Sequence, residues 1–119
     1  MKSKAAILAC GLLFIPVAAA ANVADVFQTL DDGTDLEREL LLANFEGSAA
    51  GFGAVNNILK LENKPMLYCV PEKIILTGEQ LVDILRRFVE VNRTEWPLLP
   101  KKRPADILLI SLKDAFPCK

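Results

Sequence analysis

The stretch TGEQLVDILRRFVEVN, Thr77 to Asn92, decides the fold of this chain. Thr77 followed three residues later by Gln80 is a capping box: the hydroxyl can accept from the third amide while the glutamine reaches back. Leu81, Leu85, Phe88 and Val89 then recur at the spacing of one helix face. Arg86, Arg87 and Glu90 are left for solvent. The helix is expected to end near Val91 or Asn92.

The same grammar extends in both directions. Downstream, Pro97, Pro100 and Pro104 exclude a continuous helix across residues 93–104. Pro104 suits the first position of a last helix. Ile107, Leu108, Leu112, Ala115 and Phe116 give that helix its apolar spacing, and Pro117 stops it.

Upstream, Met66 to Ile75, with Pro71 inside, reads as an irregular connection carrying Cys69. Before it, Thr34-Asp35-Leu36-Glu37 is a second capping box, and the helix it opens can run to about Leu61. Leu36, Leu40, Ala43, Gly47, Ala50, Ala54 and Ile58 are expected to form its core-facing stripe. Gly47, Gly51 and Gly53 each cost up to about 1 kcal/mol relative to alanine. These glycines leave room for a kink or break near Glu46–Ser48, and the small residues there would let another helix approach closely. Val23, Val26, Phe27 and Leu30 mark a short first helix that Asp31-Asp32-Gly33 breaks. The reading is all-α: a small bundle of about four helices in one domain, residues 22–119.

Residues 1–21 read as a cleaved signal peptide. Lys2 and Lys4 precede an apolar run from Ala5 to Val17, and Ala18 to Ala21 supply small residues for cleavage before Asn22. A retained anchor helix is the alternative, but 17 uncharged residues are at the lower edge of a bilayer span. Cys10 has too short an apolar core before it for a lipoprotein site and would leave with the leader.

Export, to the periplasm in this reading, gives the two remaining cysteines their meaning. Cys69 and Cys118 form an even pair in a small domain, which in an oxidising compartment is expected to be a disulfide. Metal ligation by two cysteines with no histidine in the chain is poorly supported, and a reactive thiol is the other option.

The full chain carries 14 basic and 15 acidic residues, net −1. Losing Lys2 and Lys4 makes the mature domain more acidic, which argues against nucleic acid. With no histidine there is no Ser-His-Asp or Cys-His centre. No phosphate-cradling glycine motif is present. Asp31, Asp32 and Asp35 could pair for glycoside hydrolysis, but helix capping and solvation explain them better. No catalytic residue, cofactor or metal is assigned. The segment with partner-binding character is Glu95 to Arg103: Trp96, the sole tryptophan, beside Leu98, Leu99 and the basic triplet Lys101, Lys102 and Arg103. Its competing reading is an anchor, with Trp96 packed on the domain and the triplet solvated.

Cys69-Val70-Pro71, Thr77-Gly78-Glu79-Gln80-Leu81 and Ala115-Phe116-Pro117-Cys118, behind an export signal and a helical pattern, resemble one family. It is the periplasmic immunity proteins that protect bacteria against type VI secretion amidase effectors. Gly51-Phe52 is similar to that family's Gly-Tyr. Two further cysteines common in the first half of members are absent here. The resemblance implies a non-enzymatic protein, often a homodimer, that docks on a secreted peptidoglycan amidase and occludes its substrate groove. An acid-stress periplasmic chaperone is the alternative in a different class, and a carboxylate hydrolase a third.

Overall fold

The computed structural model describes residues 21–119; the leader reading of residues 1–20, including Cys10, lies outside them. Helix α1 spans Val23–Asp32, α2 Asp35–Leu61, α3 Gly78–Val91 and α4 Pro104–Ala115, with a 3-10 turn at Leu99–Lys101 before α4. The described residues contain no strand. The fold is all-α with one disulfide, as the sequence predicts.

Local chemistry sets each start. Asn22 accepts from the Asp25 amide while Asp25 accepts from the Asn22 amide, a full capping box on α1. Thr77 and Gln80 exchange the same pair of bonds at α3. At α2 the Thr34 hydroxyl accepts from the Glu37 amide, but the Glu37 carboxylate takes the Thr34 hydroxyl rather than its backbone. That cap is half of the expected box.

Helix α3 is the centre of the molecule and packs on both α2 and α4. Leu81 and Leu85 on α3 meet Leu108 and Leu112 on α4, all fully buried, with Val23 of α1 beside them. Burying one such side chain contributes about 1.5–3 kcal/mol. Gly78, the first residue of α3, lies so close to α2 that a Cβ there would sit 2.8 Å from the Leu42 carbonyl oxygen. Its amide donates to Glu46 Oε1 at 2.9 Å, which ties the start of α3 to the middle of α2.

Helix α2 has no break, and its packed face differs from the expected one. The helix is continuous through Glu46–Ser48, a single run of 27 residues. Its glycines weaken it locally, but Phe45, Ala49 and Phe52 pack on the core across the same turns and keep it unbroken. The packed face is also not the expected one. Leu36, Leu40, Ala43, Gly47, Ala50, Ala54 and Ile58 are all exposed. The core takes Leu41, Leu42, Phe45, Phe52 and Asn56, on the opposite side of the helix. Two phenylalanines bury more apolar area than the alanines and glycines of the leucine-edged stripe, so they win the inward position.

Cys69 and Cys118 are bonded, with Cα atoms 5.0 Å apart. The Cys69 amide also donates to the Phe116 carbonyl at 2.8 Å, so the tail after α4 is fastened twice to the connection after α2. Among the described residues no helix is long and apolar enough to cross a membrane.

Candidate partner-binding groove

The proline-rich segment between α3 and α4 folds back on the end of α3. Asn92 caps α3, and its side chain donates to the Phe88 carbonyl at 2.8 Å. The Trp96 amide donates to the Asn92 carbonyl, and the Leu99 amide to that of Trp96, so two successive turns carry the chain round. Leu99 drives into the core, while Leu98 on the other side of the turn is left exposed. Lys102 is held by its backbone, whose carbonyl accepts from the Val23 amide at 3.0 Å. The segment is braced by α1, α3 and its own prolines.

Trp96 is packed on one side and open on the other. One edge packs on Phe88, ring centres 6.0 Å apart at 67°, an edge-to-face contact. Yet 47% of the residue remains exposed, so it is an anchored side chain with a free face. That face walls an open groove of about 530 Å³. Pro97, Leu98, Leu99, Ile107 and Ile110 supply the rest of its apolar lining, and Glu95, Lys102 and Asp106 its polar part.

The basic triplet divides. Lys102 reaches the groove; Arg103 Nε pairs with Asp106 Oδ2 at 3.0 Å on its rim; Lys101 ends the 3-10 turn and does not line it. Lys101 and Lys102 have no ion-pair partner among the described residues. The sequence reading missed Ile107 and Ile110. Their signal was present: Ile107 to Leu112 is apolar at five of six positions, wider than a core-facing stripe requires.

A second depression lies between α2 and the segment that carries Cys69. It holds Asn56, whose side chain donates to the Tyr68 carbonyl at 3.0 Å and accepts from the Leu67 amide at 2.7 Å. Its polar atoms are thus committed to the fold. Among the described residues no three His, Cys, Asp or Glu side chains cluster as metal ligands would.

No protein-family profile, curated protein or solved structure matches the chain.

Proposed function

We propose that this chain is a non-enzymatic, protein-binding protein of the periplasm, acting as an immunity-type inhibitor of a secreted peptidoglycan amidase. The observation that carries the reading is Trp96: a lone tryptophan, braced on Phe88, with its free face beside exposed Leu98 and Ile110. A rigid aromatic in an apolar groove with a charged rim is the composition of an interface hot spot. The brace reduces the ordering cost on binding. Occlusion asks for a firm surface and no reacting group.

The acid-chaperone alternative needs charge whose protonation unfolds the protein. Among the described residues the buried polar side chains are Asn56 and Ser111, neither of which titrates in acid. The four ion pairs all include a substantially exposed partner, and pairs of that kind are each worth about 0–1 kcal/mol. Acid has little to act on.

Mixing the protein with secreted peptidoglycan amidases, beginning with any whose reading frame neighbours its own, is the test. A tight complex, loss of amidase activity and a changed Trp96 emission are expected. Trp96→Ala should weaken the complex by about 2 kcal/mol or more, roughly 30-fold. No complex with any such amidase, or full inhibition by Trp96→Ala, overturns the reading.

A further inference from the structure

The connection from Met66 to Leu76 is fastened to α2 at both ends and stands off it between them. At one end Asn56 accepts from the Leu67 amide and donates to the Tyr68 carbonyl. At the other Glu46 accepts from the Gly78 amide, so the chain runs back along the helix. Between these fastenings Ala49, Ala50 and Gly53 are too small to fill the space, and a groove of about 540 Å³ remains. One wall is α2, where Glu46, Ala49, Gly53, Asn57 and Lys60 recur at three- and four-residue steps. The other is the connection, where Val70, Glu72, Ile74 and Leu76 recur at every second position. Lys73 and Ile75 do not line the groove, and Ile75 is 86% exposed.

We propose that this groove binds an extended peptide segment of a protein partner. Its alternate side chains are large and apolar, with a basic residue at the Glu46 end and an acidic one at the Lys60 end. The wall that repeats every second residue sets the repeat of what lies along it, because an extended chain presents alternate side chains to one face. From Glu46 to Lys60 the helix rises about 21 Å, the length of about six residues of extended chain. The small residues of α2 ask for large side chains from the occupant. The groove is also formed in advance. Both ends of the connection are fastened, and Cys69, which lines the groove, is bonded to Cys118. A segment entering it meets a wall that needs little further ordering.

Charge selects a peptide over other occupants. Glu46, Glu72 and Lys60 line the groove, and among the described residues none of them forms an ion pair. Lys60 and Glu46 stand at opposite ends, with the apolar residues Val70 and Ile74 on the wall between. An acyl chain would leave all three charges without a partner. A polyanion would set its phosphates against two carboxylates for one amine. A segment with a base at one end and an acid at the other matches both ends at once. Such partly exposed pairs fix register and partner choice more than they add affinity.

The probe is the blocked peptide acetyl-Lys-Thr-Ile-Thr-Ile-Thr-Glu-amide, whose end charges and isoleucines share one face of an extended chain. Titrated into the isotope-labelled protein to about 1 mM, the range of weak association, it should shift the amides of α2 from Glu46 to Lys60 and those of residues 66–76 to saturation. The Trp96 indole signal should stay in place. Gly53→Leu fills the groove, and a Cβ at residue 53 meets nothing within 4 Å in the chain itself. It should lower the affinity at least about 10-fold while raising the thermal midpoint, since leucine favours a helix over glycine. Lys60→Glu should weaken binding of this peptide and favour the one that ends in lysine instead of glutamate. An unchanged spectrum throughout the titration, or shifts centred elsewhere, overturns the proposal. So does Gly53→Leu binding as the wild type does, or Lys60→Glu with no exchange of preference. The two grooves share no residue, so a failed peptide titration leaves the Trp96 reading standing, and a failed amidase assay leaves this one.

Discussion

Asn56 and Tyr68 show what one residue can hold in place. Asn56 lies inside α2 at 8% exposure and satisfies a backbone amide and a backbone carbonyl of the following connection. Leaving two such buried groups unpaired would cost about 1–3 kcal/mol each. Nothing in the sequence announces this, since an asparagine amid glycines and alanines reads as solvent-facing and its partners lie 11 and 12 residues away. Tyr68 is buried beside it, and burial raises its phenol above the ordinary value. The cause is desolvation, which disfavours the phenolate. The folded state therefore keeps the proton at pH values where an unfolded tyrosine has lost it. That contribution is complete below about pH 10 and is lost as pH rises through the higher folded value. Tyr68 is the sole tyrosine, so phenolate absorbance follows it without ambiguity. The titration midpoint should lie above that of free tyrosine, and Tyr68→Phe should remove this part of the alkaline loss of stability. A midpoint at or below the ordinary value would contradict the burial argument.

At the scale of elements, caps and stops were legible because they are local. Thr77 with Gln80, Pro104 at the start of α4 and Asn92 at the end of α3 sit where short-range chemistry puts them. The orientation of α2 was not legible, because that helix has two apolar stripes and periodicity alone cannot rank them. The ranking came from size, with Phe45 and Phe52 inward, and from a contact 32 residues distant, Gly78 to Glu46. That contact makes a further prediction. A methyl group on residue 78 would lie 2.8 Å from the Leu42 carbonyl oxygen and 2.9 Å from the Leu42 Cβ, one of them rigid backbone. Gly78→Ala should therefore cost about 1–3 kcal/mol by overpacking. The gain in helix propensity is at most about 1 kcal/mol and smaller at a first turn. Chemical denaturation measures the balance, and a stabilised Gly78→Ala protein would show that α3 does not press on α2 as closely as the geometry states.

The whole molecule depends on how its last residues are returned to its middle. Four helices alone would leave the tail beyond Ala115 and the connection through Cys69 joined by one backbone hydrogen bond. The bridge closes a loop across 49 positions. In the chain-entropy account such closure removes about 4 kcal/mol of freedom from the unfolded chain. Against a net stability of about 5–15 kcal/mol for a domain of this kind, that is a large share. The pairing was legible because, with Cys10 read as part of a leader, the two remaining cysteines have one way to pair. Cys118 is exposed and Cys69 half-buried, so a reductant can reach the bond without prior unfolding. Reduction leaves the packing of Leu81 and Leu85 on Leu108 and Leu112 untouched. Helix content should therefore persist while the denaturation midpoint falls by the equivalent of about 4 kcal/mol. The Cys69→Ser/Cys118→Ser protein should match the reduced one, because the effect comes from the missing link rather than the reagent. Equal stability of oxidised and reduced protein would mean that the core alone holds the tail and that the bridge constrains nothing in the unfolded chain.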